Sequence, residues 1–420
     1  MGASKRKNHG QSHARMPLAS RAHAAAAVTM PAPLAGSAVT MPAPLPEGAS
    51  IAVVEPSKAP QPSVVQFPLA KPLGMCPPPL EVAQPVRPLD DEWAQWILDN
   101  SLRRCSPESM LATVTQAGIH PGQASAFIAN LPHNPMYRAA EKMRDRYDRF
   151  AREMHNVQAV FESAPNYTHV EKRSRVSREE FVERYVRGCR PVVLTDFARD
   201  WPAMKRWSFD EFKRRYGSMT VQVQAGRESD DNFEINKANH KRDTNFAAFL
   251  DRVSMSGPTN DEYLTANNEL LRRPEFQGLL SEVGPLPDIC DAAALSRSSS
   301  LWIGPAGTRT PLHHDTLMLL HTQIVGRKRW RFVSPLSGPS LYNDYDVYSP
   351  VDFENLDLQR FPKAANVKVL EVVVEPGETM FLPLGWWHQV TSLEVSLSFS
   401  YPNLAIPNDF TYVNAEIHNW

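Results

Sequence analysis

Residues 376–392 read PGETMFLPLGWWHQVTS, and this stretch decides the fold. Pro376-Gly377 and Leu384-Gly385 are turn signals, since glycine supplies the backbone freedom a tight reversal needs. Between them lies a short apolar run of strand character. The second turn aims His388 back along the strand just completed. On its own, a histidine beside Trp386 and Trp387 is ordinarily a buried hydrogen-bonding side chain. The two turns and the strand between them make it a candidate for a functional role as well.

A second stretch, TPLHHD at 310–315, supplies its partners. Strand alternation puts His313 and Asp315 on one face and His314 on the other. A histidine and a carboxylate two residues apart can both reach one ion, so His313 and Asp315 are expected ligands and His388 the third. Two imidazoles and one carboxylate on one side of an ion leave positions open, an arrangement that suits non-haem Fe(II). Lys328 lies on a run, KRWRFV at 328–333, where it shares a face with Trp330 and Phe332. Arg327, Arg329 and Arg331 take the opposite face. A lysine among inward-facing aromatics needs an anionic partner, because an unpaired buried charge is very costly.

Working outward, short runs rich in Val, Leu, Ile, Ser and aromatics recur at 191–195, 219–224, 299–304, 328–333, 367–374 and 395–401, separated by turn residues. Helical patches at 177–187, 208–215 and 245–253 precede the β-rich half. The expected fold class is mainly β, a double-stranded jelly-roll with N-terminal helices over residues 166–420. A small helical domain is expected at 91–165. There Trp93, Trp96 and Ile97 form one buried face, Ser106-Pro107 and Asn134-Pro135 open helices, and Gly118 closes one. Met136, Ala140, Met143, Tyr147, Phe150, Met154, Val157 and Phe161 follow at steps of four and three, a heptad seam. Such a seam packs on its own domain or pairs with a second copy in a homodimer through helix 136–161.

Composition sets the outer limits. The chain has 420 residues, 42% hydrophobic and 22% charged, ordinary for a chain with a sizeable core. Sixteen of the 37 prolines lie in residues 1–90, where AVTMPAPL at 27–34 recurs at 38–45. This Pro/Ala-rich extension is expected to be disordered. Its basic, acid-poor leader shares features with organellar transit peptides, but no apolar core of a secretory signal follows. The net charge is −1 and no segment is basic enough to make nucleic acid an expected partner. No run approaches 18 apolar residues, so no membrane-spanning helix is expected. Cys76, Cys105, Cys189 and Cys290 fit neither a zinc spacing nor a disulfide framework, and a reducing cytoplasm is the default expectation.

Gly377, Pro383, Gly385 and His388 match the second cupin motif at every spacing, with Ser392 where its usual Asn stands. Together with RPVVL at 190–194, WPA at 201–203, LWIGP at 301–305, GRK at 326–328, VDFEN at 351–355 and SLSF at 396–399, they make residues 174–402 resemble a jumonji-C domain of the cupin-like hydroxylase branch. The resemblance is closest to asparaginyl and arginyl protein hydroxylases. It implies Fe(II), with 2-oxoglutarate and O2 as co-substrates and a protein or peptide as substrate. It carries Lys328 onto the distal carboxylate of 2-oxoglutarate, Thr310 and Tyr263 onto hydroxyl donors to that carboxylate, and Trp302 onto a pocket wall. Two positions depart from the pattern. Leu319 and Ser400 stand where relatives carry asparagines, and His321 with Gln323 alternates inward beside Leu319 as a replacement. Two other readings fit the same residues: a cupin-like sensor that holds metal or a small acid without turnover, and the same chemistry on a tRNA base or small metabolite. Residues 225–260 and 344–357 are the expected walls of a substrate groove.

Overall fold

The structure is a computed structural model that describes residues 86–164, 167–266, 269–343 and 346–408. The expected disorder of residues 1–90 falls almost wholly outside the described residues, and the described part lies in one compact unit. Helices α1 (Asp91–Leu102), α2 (Pro107–Gln116), α3 (Pro121–Asn130) and α4 (Pro135–Glu162) come first. The Asn134 side chain caps α4 by accepting from the backbone N–H of Met136 at 2.8 Å, and Ser106 caps α2 in the same manner. α1 buries Ile97, with Trp93 and Trp96 packed at the margin of the same cluster.

Much of the heptad seam of α4 is exposed among the described residues. Met136 is 81% exposed, Met143 63%, and Tyr147 and Phe150 52% each. The helix is anchored instead by a neighbouring flank. Tyr137 is buried and shares a hydrogen bond with the Ser101 hydroxyl, and buried Gln158 donates to Tyr167 Oη. The 3.5-residue repeat located the apolar stripe but not its partner. Among the described residues no helix is long and apolar enough to cross a membrane.

Thirteen strands follow: β1 (Glu171–Arg173), β2 (Val192–Leu194), β3 (Thr220–Ala225), β4 (Lys241–Asn245), β5 (Glu262–Tyr263), β6 (Ser300–Gly304), β7 (Arg309–His313), β8 (Leu319–Val325), β9 (Lys328–Val333), β10 (Leu370–Val374), β11 (Thr379–Leu382), β12 (Trp387–Ser392) and β13 (Ser396–Tyr401). Six form one sheet in the order β1-β2-β11-β8-β13-β6, and four form a second, β10-β9-β12-β7. Apart from the parallel pair β1–β2, the ladders of these two sheets are antiparallel. Consecutive strands β6 to β9 alternate between the sheets in the manner of a jelly-roll. A small third sheet, β4-β3-β5, flanks them.

The large sheet is backed by a cluster that includes Phe181, Trp201, Trp207, Phe212, Phe381 and Phe399, all buried. Burying each such ring contributes roughly 1.5–3 kcal/mol. This backing covers the side of the large sheet that faces away from the small one. The turns read from sequence are in place, with φ of +88° at Gly377 and +74° at Gly385. All six strand-like runs contain strands, and the apolar run between the two turns is β11; β7, β8 and β12 were not among the six, since Thr, His, Gln and Pro interrupt their apolar character.

A candidate metal and co-substrate cavity

Between the two sheets lies a cavity of about 360 Å³. The minor sheet contributes Thr310, His313, Lys328, Trp330 and His388, and the major sheet Trp302, Leu319, His321 and Ser400. Tyr263 and Asp315 complete the set, so all nine residues expected from sequence line one space.

His388 on β12 pairs directly across from His313 on β7, which brings their ring centroids to 4.1 Å. Each imidazole Nδ1 meets a backbone carbonyl two residues upstream, Pro311 O at 2.8 Å and Trp386 O at 3.0 Å. A carbonyl only accepts, so Nδ1 carries the hydrogen and donates, and the Nε2 lone pairs are free to face an ion. Asp315 Oδ1 lies 4.0 Å from His313 Nε2, and its Oδ2 3.9 Å from His388 Nε2. Among the described residues this trio is the one histidine, cysteine and carboxylate group whose ligand atoms converge for a metal ion, within 4.8 Å of one another.

Strand alternation placed these residues only in part. β7 ends at His313, and Asp315 sits beyond it in the following loop. What holds Asp315 there is the distant turn: the Gly385 amide donates to the Asp315 carbonyl at 3.3 Å. His314 does point elsewhere, edge-on to Trp387 at 4.6 Å. Burial pushes the Asp315 carboxyl up, and burial followed by the neighbouring His313 pushes His388 well below the usual imidazole range. A cation among these ligands would favour the ionised carboxylate and the neutral ring together.

Lys328 is 1% exposed and donates to Tyr263 Oη at 3.0 Å. Its ammonium lies 5.5 Å from the Tyr263 ring centre and 5.9 Å from that of Trp302. Among the described residues no carboxylate forms an ion pair with it, and burial pushes its pKa down to about 7. An unpaired cation in an enclosed space is a demand for an anion. Arg329 and Arg331 lie partly buried on the other face and pair with Glu354 and Glu371. Trp302 Nε1 donates to Ser400 Oγ at 2.8 Å, leaving the serine hydroxyl hydrogen for another acceptor. His321 is buried, and its Nε2 has no partner among the described residues. Burial, then Lys328, holds it neutral.

Several lining residues were not read from sequence: Glu234, Lys237, Thr265, Ser298, Ser300 and Tyr348. Ser300 opens β6 and Lys237 and Ser298 sit in short helices, while Glu234, Thr265 and Tyr348 come from loops; neither periodicity nor a short motif marks any of them. Tyr348 could have been found within the expected groove wall at 344–357, and Glu234 within 225–260.

A family model described as a cupin-like domain matches residues 177–406. "Lysine-specific demethylase JMJ30" of Arabidopsis thaliana is 34% identical over 242 residues, 55% of this chain and 54% of that protein. "Lysine-specific demethylase 8" of Xenopus tropicalis is 31% identical over 233 residues, 54% and 50% of the two chains. "HSPB1-associated protein 1" of Bos taurus is 28% identical over 225 residues, 49% and 46%. The chain thus spans about half the length of the curated relatives it matches. The matched residues run from the helices that back the large sheet to the end of β13, and they contain every residue of the cavity. The chain belongs to the cupin-like domain family, with the jumonji-C proteins among its relatives.

Proposed function

We propose that this chain is an Fe(II)- and 2-oxoglutarate-dependent oxygenase that hydroxylates a side chain of a protein or peptide. The observation that carries the reading is a buried two-histidine, one-carboxylate cluster sharing a cavity with an unpaired buried lysine. The donor set fits the metal, since neutral imidazoles and a carboxylate on one side leave room for a chelating co-substrate and oxygen. The lysine fits a diacid whose second carboxylate lies away from the ion.

In this reading His313, Asp315 and His388 hold the iron. Lys328 and Tyr263 take the distal carboxylate, with Thr310 beside them. Trp302 walls the pocket, and Ser400 and His321 supply the polar contacts that Leu319 cannot. When bound, iron and 2-oxoglutarate supply oxygen activation: the keto acid becomes succinate and CO2, and the second oxygen atom enters a substrate C–H bond. The protein's own residues hold the ligands on one side, exclude water behind Trp302 and Trp330, and position that bond. Names of relatives include lysine demethylases. The same step on an N-methyl carbon gives a hemiaminal that releases formaldehyde, so hydroxylation and demethylation differ in the carbon presented.

An anaerobic titration with Fe(II) and then 2-oxoglutarate tests the reading through the visible charge-transfer band of the chelate. The band is expected to vanish in His388→Ala and to need much more 2-oxoglutarate in Lys328→Ala. Iron binding with no band would move the sensor reading ahead, and Leu319 on the cavity wall is the feature that favours it.

We further propose that the exposed α4 seam pairs with a second copy of this chain. Its repeat matches a like helix, and its flanks carry both signs (Arg144, Arg146, Glu153), as a self-pairing surface requires.

A further inference from the structure

A second cavity, of about 320 Å³, lies beside the first, and the two share Glu234 and Tyr348. Tyr348 forms the wall between them. It bridges to His313 through backbone pairing, and its ring stacks 5.9 Å from the His313 ring at 28°. The floor is β7 itself, since Pro311 and Leu312 line the second cavity while His313 lines the first. The two spaces are therefore about two strand residues apart, roughly 7 Å.

Apart from exposed Asp231 at its edge, the charged groups around this second space are already engaged. Glu234 accepts from Arg227 at 2.9 Å, and that guanidinium is fully buried between the rings of Phe233 and Tyr263. Asp352 accepts from Gln389 Nε2 at 2.6 Å and from the Glu354 amide at 2.8 Å, with Arg309 at 3.5 Å. What is left to an occupant is mostly ring and aliphatic surface from Phe233, Ile235, Tyr342, Tyr348, Pro350 and Val351. Ile235 and Pro350 are exposed at its edge, as are Asp231 and Asn232, so the space is reached from outside.

We infer that this second cavity is a specificity subsite for a large apolar side chain of a peptide substrate, two residues or fewer from the residue that is oxidised. The volume accepts a side chain of Leu, Met or Phe size. An extended peptide that presents one residue to the metal cavity places a near neighbour over the second, because its pleat advances by the same roughly 7 Å per two residues. Full burial of such a side chain corresponds to a preference of roughly tenfold to a hundredfold over a small polar one. The inference rests on the oxygenase reading, and it assigns the paired Arg227–Glu234 and Arg309–Asp352 charges to shaping the pocket rather than to binding a charged group.

The test uses the full chain, loaded with Fe(II) and 2-oxoglutarate in air, on peptides from a proteolytic digest of a cell lysate. Peptides that gain one oxygen atom, or lose a methyl group, are sequenced. Large apolar residues are expected to be enriched about tenfold at one fixed position within two residues of the modified one. Ile235→Asp and Pro350→Asp change exposed residues, so the fold tolerates them, and each is expected to erase most of that enrichment. The charge-transfer band normalises each protein for loaded sites. Modified peptides with no positional enrichment, or with enrichment that both variants keep, would overturn the subsite alone. A normal band with no peptide modified would overturn it too, since peptides should then suffice. Loss of the band in the unaltered chain would instead remove the oxygenase reading on which it rests.

Discussion

In the proposed oxygenase the buried lysine makes co-substrate binding a pH-dependent event in a range where few lysines titrate. Lys328 is pushed down to about 7 by burial alone, against an ordinary value near 10.5. A diacid binds the ammonium, so it binds only the protonated fraction. That fraction falls from about one half at pH 7 to about one in thirty at pH 8.5, which predicts a roughly 15-fold loss of affinity, or about 1.6 kcal/mol. The sign for folding is opposite. The unfolded lysine keeps its proton up to about pH 10, so between about 7 and 10 the unfolded chain binds more protons and the ligand-free protein gains stability as pH rises. Bound diacid should flatten that gain. Calorimetric titration of Mn(II)-loaded protein with 2-oxoglutarate, at pH 7 and 8.5 and in two buffers of different ionisation heat, reads both the affinity and the proton taken up. His321 is held neutral throughout and contributes no slope. Lys328→Met should lose both affinity and pH dependence. A flat affinity in the unaltered protein, with no proton uptake, would refute the claim that burial controls this lysine.

Three other outcomes follow from named contacts. A Cβ added at Gly304 would sit 2.7 Å from Tyr263 Cδ2 and 2.8 Å from Thr308 Cγ2. Gly304→Ala should therefore shift Tyr263 off Lys328 and weaken 2-oxoglutarate binding by roughly tenfold, on the order of one hydrogen bond, while Mn(II) affinity changes little. His321→Phe should weaken the same binding about fivefold in calorimetry, and an unchanged affinity would remove His321 from the co-substrate contacts. For α4, sedimentation equilibrium should give twice the chain mass for the unaltered protein and the single-chain mass for a Tyr147→Glu, Phe150→Glu double variant. A single-chain mass for both would end the self-pairing proposal.

What the sequence disclosed and what it hid divide along a physical line. Lys328, Trp330 and Phe332 were legible because a strand buried on one face must alternate, and β9 obeys that rule from Lys328 to Phe332. His388 was legible because two turns fix where its strand begins. Asp315 was found by a weaker argument than the one that holds it: a backbone hydrogen bond from a turn 70 residues away has no local signature. The α4 seam shows the converse limit, since a repeat states that a face is apolar and says nothing of what covers it. Glu234 and Tyr348 were legible only as ranges, because loop side chains converge through tertiary contacts that no period encodes.

This division also bears on the reaction. Everything that would bind iron and the diacid lies on β5 to β9, β12 and β13 or, for Asp315, in the loop that follows β7. Everything that would choose the substrate lies in the loops around Glu234 and Tyr348, on the far side of the His313 ring. Oxygen insertion into a C–H bond of a plain side chain leaves an alcohol, and into a C–H bond of an N-methyl group it leaves an unstable hemiaminal. The strands do not differ between these outcomes, because neither the ligand set nor the diacid site distinguishes one C–H bond from another. In the proposed enzyme the choice would fall to how a bound chain is seated against Tyr348, which touches both cavities. Tyr348→Ala should then alter which peptide carbon is oxidised, or uncouple succinate formation from substrate oxidation, while leaving the affinity for 2-oxoglutarate near that of the unaltered protein. If instead that affinity collapses and the peptide pattern does not change, Tyr348 belongs to the co-substrate site and the loops do not select the substrate there.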